Sequence, residues 1–119
     1  MARSAEILVV DDDPGVSGVF KTFLTRKGHR VTVASTAEEG LRLAAAKRFD
    51  AVLLDNGLPG RMGLSALPEF AKQAGSVIMV TGLPSEDAAT DAGLLGAKGF
   101  LTKPVDFAQL ESLIEQSLA

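Results

Sequence analysis

EILVVDDDPG, residues 6–15, sets four apolar residues directly against three carboxylates. Ile7 to Val10 is the kind of run that fills a strand buried on both faces. Asp11, Asp12 and Asp13 then repel one another at its end, and that repulsion needs a physical answer. Asp13 has a local one. With Pro14 behind it, it reads as the N-cap of a helix that starts on proline. Asp11 and Asp12 are left over, two carboxylates at the carboxyl end of a core strand.

The rest of the chain repeats the pattern of that opening. Val16, Val19, Phe20, Phe23 and Leu24 recur at helical spacing after Pro14, and Lys27-Gly28 ends the helix. RVTVA (30–34) reads as a short strand. Thr36 with Glu39 forms a capping box for the next helix, which turns Leu41 and Ala44 inward. DAVLLD (50–55) is a second fully apolar strand ending on an aspartate, SVIMVT (76–81) a third ending on a threonine, and KGFLTK (98–103) the last. Between them Pro68 limits the third helix, because proline is tolerated within the first turn and not beyond it. Ser65 as N-cap predicts a short helix over 66–73. Asp106, with Gln109 three residues on, caps a final helix carrying Phe107, Leu110, Leu113 and Ile114.

Five strands alternating with helices, joined by short loops, predict a parallel sheet covered on both faces. The 119 residues suffice for one such domain and its core, with no internal repeat or linker. The absence of cysteine excludes disulfides and thiolate metal sites. A net charge of −3, with no basic stripe or aromatic platform, argues against nucleic-acid binding. No segment approaches membrane-spanning length and the N-terminus lacks a signal-peptide core, so a cytoplasmic protein is the default expectation. His29, the one histidine, follows Gly28 in a turn and reads as plain surface.

In open sheets of this type the site lies beyond the carboxyl ends of the strands. That rule gathers Asp11, Asp12, Asp55, Thr81 and Lys103 at one edge. Carboxylate oxygens suit a hard cation such as Mg²⁺, which binds through one or two carboxylates together with a substrate phosphate. A lysine and a threonine hydroxyl beside them can hold phosphoryl oxygens. One of the aspartates can then act as a nucleophile and form an aspartyl-phosphate. The residue types alone do not single out which.

ILVVDDDP, LLDNGLPG, VIMVTG and GFLTKP, in this order and spacing, resemble the receiver domain of two-component response regulators over nearly all of residues 1–119. The resemblance implies a flavodoxin-like (βα)5 fold with strand order 2-1-3-4-5. It implies a phosphorylation-controlled signalling switch and not a true enzyme. By this resemblance Asp55 matches the phosphoacceptor, charged from the phosphohistidine of a sensor histidine kinase or phosphotransfer protein. Asp12 matches the direct Mg²⁺ ligand, Asp11 a ligand acting through water, and the Gly57 carbonyl the third protein ligand. Thr81 matches the switch hydroxyl, Lys103 the phosphate-binding lysine with a cis bond to Pro104, and Phe100 the aromatic switch. A phenyl ring at that spacing is otherwise a core residue. The face built from the fourth helix, fifth strand and fifth helix would carry the signal to an output domain or downstream protein.

The sequence also departs from the family. The segment between Asp55 and Thr81 is a few residues short, Gly57 has no side chain beside the acceptor, and Arg61 and Met62 stand where the family often has an acidic residue. The last point bears on partner selectivity. Two other readings compete. A Mg²⁺-dependent phosphatase or phosphotransferase would normally carry a second aspartate two residues after the nucleophile, where Gly57 stands. A receiver-like interaction module that takes no phosphate would not need Asp12, Asp55, Thr81 and Lys103 together.

Overall fold

The computed structural model describes residues 4–58, 63–82 and 86–118. Ten elements alternate along the chain. They are β1 (Glu6–Val10), α1 (Pro14–Arg26), β2 (Arg30–Ala34), α2 (Ala37–Ala46), β3 (Ala51–Asp55), α3 (Gly63–Gln73), β4 (Val77–Thr81), α4 (Glu86–Leu94), β5 (Gly99–Thr102) and α5 (Phe107–Ser117). The five strands form one parallel sheet in the order β2-β1-β3-β4-β5, the flavodoxin-like arrangement expected.

Period-2 alternation divides the core into two layers. Leu8, Val10, Val52, Leu54, Val77 and Met79 face one side, where Ala37 and Ala44 of α2, Ala66, Leu67 and Phe70 of α3 and Ala92 of α4 cover them. Ile7, Val9, Leu53, Ile78, Val80 and Leu101 face the other, against Phe20 and Leu24 of α1 and Leu110 and Ile114 of α5. β3 and β4 are buried at every position, which is why their sequences show no polar alternation. β2 lies at the edge and is partly open to solvent.

The caps explain where most helices begin. The Asp13 side chain accepts from the amide of Gly15 at 2.8 Å, and α1 starts at Pro14. Thr36 accepts from the amide of Glu39 at 3.1 Å, while the Glu39 carboxylate returns to the amide of Ser35. Asp106 accepts from the amides of Ala108 and Gln109.

Two expectations are corrected. The third helix does not wait for Ser65. It begins at Gly63, which leaves Pro68 inside it as the sixth residue. The reason is a cap from outside the helix. The side chain of Asn56 accepts from the amide of Leu64 at 3.0 Å and its carbonyl from the amide of Gly63 at 3.2 Å. The second correction is His29, which is buried and not a surface residue. Its Nδ1 accepts from the amide of Ala5 at 3.0 Å, closing the start of β1 onto the start of β2.

Pro68 lacks the N–H that would bond the Leu64 carbonyl one turn back. Pro68→Ala supplies it, so urea melts of the variant should show a stability gain of about 1–3 kcal/mol. A loss would mean that the ring's packing outweighs the missing bond.

Candidate functional site

Strand register builds the site. Val10 pairs with Leu54, so Asp11 follows the end of β1 beside Asp55 at the end of β3. Asp55 pairs with Val80, which sets Thr81 one step beyond, and Thr81 pairs with Thr102, just before Lys103. The amide of Lys103 also donates to the carbonyl of Thr81 at 2.8 Å. Four residues far apart in sequence, Asp11, Asp55, Thr81 and Lys103, thus reach one edge through pairing alone.

The side chains of Asp11, Asp12, Asp55 and Lys103 converge there. One carboxylate oxygen from each of Asp11, Asp12 and Asp55 lies within 4.8 Å of the others. Asp11 and Asp55 are buried and Asp12 is exposed, so the cluster has a closed floor and an open mouth. The Lys103 ammonium donates to Asp11 Oδ2 at 3.1 Å and to Asp55 Oδ1 at 3.3 Å. Asp11 Oδ1 accepts from the amide of Asp13 at 2.9 Å, which fixes its rotamer. Thr81 is buried at the same edge. The Lys103–Pro104 peptide is cis.

Electrostatics follow from that crowding. Burial, with the charge of Asp11 next, raises the pKa of Asp55 above the ordinary carboxylate value, although Lys103 and the amide of Gly57 oppose the rise. Burial acts against the charge of Lys103, but its hydrogen bond to Asp11 and the charges of Asp55 and Asp11 outweigh it and raise its pKa. The donor set is all oxygen, clustered and only partly neutralised by one ammonium. It fits a hard divalent cation such as Mg²⁺ and offers no nitrogen or sulfur ligand.

Gly57 is exposed, and its amide donates to the Asp55 carboxylate. A Cβ built on it would lie 3.8 Å from Asp55 Oδ2, with no other contact so close among the described residues, so no side chain of residue 57 overhangs Asp55. Phe100 is half-buried against the α2–α3–α4 layer, opposite Met79. Arg61 and Met62 lie outside the described residues. Sequence reasoning passed over Asn56. Its signal is an amide side chain directly after a strand-terminal aspartate, but the helix it caps starts too far along the chain for a local capping rule.

The comparisons agree with this geometry. The family described as the response regulator receiver domain matches residues 7–115. The protein PilH of Pseudomonas aeruginosa is 36% identical over 119 residues, covering 97% of this chain and 98% of PilH. The transcriptional activator protein PfeR of the same organism is 36% identical over 110 residues, and there the chain spans only 36% of the relative's length. Among solved structures, the receiver domain of the Pseudomonas aeruginosa sensor histidine kinase PA1611 superposes with a TM-score of 0.83 at 28% identity. It covers 96% of this chain and 97% of that one, and it holds a magnesium ion in its active-site cleft.

A 2-1-3-4-5 parallel sheet with an acidic, lysine-bridged edge marks a receiver of two-component signalling. The chain belongs to the response regulator receiver domain family.

The pKa of Asp55 sets a testable pH dependence. Because its folded-state pKa is raised above 3.8, the folded chain holds a proton that the unfolded chain has released. The associated stability is present below pH 3.8 and is lost as pH rises through the folded value. Asp55→Asn removes this loss. Without divalent metal, the variant should therefore be more stable than the parent at neutral pH, by about 1–3 kcal/mol, with the gap closing on acidification. Denaturant midpoints measured across pH in chelator decide it. A variant less stable than the parent at pH 7 would show that these carboxylates do not repel.

Proposed function

We propose that residues 1–119 act as one receiver domain whose Asp55 accepts a phosphoryl group in a Mg²⁺-dependent reaction. The donor is the phosphohistidine of a sensor kinase or phosphotransfer protein. The observation that carries this reading is the pairing of a three-carboxylate cluster with an ammonium that touches both of its buried members. The magnesium in the cleft of the PA1611 receiver supports the choice of cation.

Asp12, at the open mouth, would be the direct ligand, with Asp11 acting through water and Asp55 and the Gly57 carbonyl completing the protein's share. Bound there, Mg²⁺ would offset the negative charge of the carboxylates and of the arriving phosphoryl oxygens. The chain's own residues do the rest. A carboxylate oxygen of Asp55 attacks phosphorus; as that O–P bond forms, the P–N bond to the donor imidazole breaks and the ring nitrogen keeps the electron pair. Lys103 shifts its hydrogen bond from Asp55 to a phosphoryl oxygen, and the Thr81 hydroxyl donates to another. Such transfer rests on positioning and electrostatics more than on covalent help from the protein.

The readout follows from the same contacts. A phosphoryl group can shift a conformational equilibrium only through contacts that differ between the two states. The Thr81 hydroxyl supplies one, and its inward movement would leave space for the half-buried Phe100 ring. The responding face is then α4, β5 and α5, where an output domain or a separate downstream protein would dock.

Acetyl phosphate with Mg²⁺ should phosphorylate the parent on Asp55, read by intact mass, and excess chelator should abolish labelling. Asp12→Ala should weaken Mg²⁺ binding at least about tenfold, since even residues behind a metal's ligands have effects of that size. Labelling that persists in chelator would overturn the Mg²⁺-dependent mechanism, and no labelling under any condition would favour an interaction module that takes no phosphate.

A second measurement addresses the switch. Titration with beryllofluoride and Mg²⁺ should move amide resonances across residues 84–118 as well as in the pocket. Shifts confined to the pocket would remove Thr81 and Phe100 from the readout.

A further inference from the structure

We propose that Asn56 is a positioning residue that holds the backbone at Gly57 in place for metal binding. This rests on the reading of the Gly57 carbonyl as a protein ligand. Asn56 uses three groups to join three elements. Its amide donates to the carbonyl of Val80 on β4 at 3.1 Å, its carbonyl accepts from the amide of Gly63 at 3.2 Å, and its side-chain oxygen accepts from the amide of Leu64 at 3.0 Å. It thereby satisfies the first two of the amides that the N-terminus of α3 leaves without intrahelical partners.

The contact is unusually close. A Cβ on Gly63 would lie 2.1 Å from the carbonyl oxygen of Asp55, so only glycine lets α3 approach the acceptor's own backbone. The helix start, the acceptor peptide and β4 are thus clamped together at residue 56. Gly57 itself is exposed and has no side chain to anchor it. Apart from its amide's bond to the Asp55 carboxylate, such a glycine takes its orientation from its neighbours. Leu58 on one side is buried in the core, and Asn56 on the other is held by three hydrogen bonds. Removing the Asn56 side chain breaks the one of these bonds that the side chain makes, to Leu64, and so loosens this side of the suspension while leaving every carboxylate in place.

The inference separates from a mere capping role. A lost cap lowers global stability wherever it occurs, whereas a lost support for Gly57 lowers Mg²⁺ affinity in protein that is still fully folded. Thr36→Ala, which removes the cap of α2, is the matched control. Amide hydrogen exchange in metal-free protein, together with Mg²⁺ titrations followed by NMR, reads both effects without any phosphoryl transfer. Asn56→Ala should expose the Leu64 amide to faster exchange and raise the Mg²⁺ Kd about tenfold, while Thr36→Ala changes that Kd by less than about twofold. Asn56→Asp keeps an acceptor oxygen within the same reach, so it should keep Leu64 protected and bind Mg²⁺ no more weakly than the parent. An unchanged Kd in Asn56→Ala overturns the proposal, as does a weaker Kd in Asn56→Asp even if the alanine variant fails to fold. A parent protein that binds no Mg²⁺ overturns the reading of the site, and the inference with it.

Discussion

The ammonium of Lys103, set between the carboxylates of Asp11 and Asp55, is the contact on which the site edge depends. Two buried carboxylates at the ends of neighbouring parallel strands repel at a distance where solvent screens them weakly. One half-buried ammonium cannot neutralise both of them and the nearby Asp12 as well. The folded chain therefore keeps an unspent negative field at one edge of the sheet. Other ion pairs are different in kind. Lys27–Glu111 is solvent-exposed at both ends and Arg30–Glu6 at its Arg30 end, where such pairs contribute little. The tension is confined to the place where charge must be accepted and moved.

The same constraint explains what the sequence could reveal. Buried strands that end on Asp, Asp and Thr are visible because apolar runs with polar ends have no other economical reading. Parallel pairing then carries Asp11, Asp55, Thr81 and Lys103 to one edge whatever the helices do. Caps lying next to their helices, at Asp13, Thr36 and Asp106, were equally legible, since their partners are two or three residues away. The start of α3 was not. Its cap comes from Asn56, across a connecting segment, and local rules promoted Ser65 instead. His29 was missed for a related reason. Its partner is the backbone amide of Ala5, 24 residues upstream, and no side-chain pattern marks a backbone donor.

Gly57 and Gly63 show two distinct uses of a missing side chain within one short stretch. At Gly63 the reason is steric, since α3 presses on the Asp55 carbonyl. At Gly57 no close contact among the described residues forbids a side chain, so its absence bears on access. On the proposed reading, Asp55 gains no cover from residue 57 against a donor or water. The competing reading as a phosphatase also turns on this residue, because an acid/base carboxylate two residues after the nucleophile has no counterpart here. On the proposed reading, Asp55 has a cation-binding field and an ammonium beside it, with no second acid/base carboxylate at residue 57 to turn a phosphoryl group over. A covalent state that accumulates would follow, and accumulation is what a switch requires.

β5 is where that state meets both core layers. Leu101 is buried against α1 and α5, whereas Phe100, its neighbour, packs half-buried toward α2, α3 and α4. The backbone bond from the Lys103 amide to the Thr81 carbonyl ties this strand to β4 at the site itself. β3 and β4 are buried along their whole length and have no room to yield. β5 is four residues long, lies at the sheet edge and keeps one aromatic ring only half covered. On the proposed reading, a rearrangement at Thr81 therefore finds its least resisted outlet through Phe100, because close-packed neighbours must be displaced everywhere else. The rigid centre of the sheet holds the chemistry, and its loosely covered edge is the part that can move.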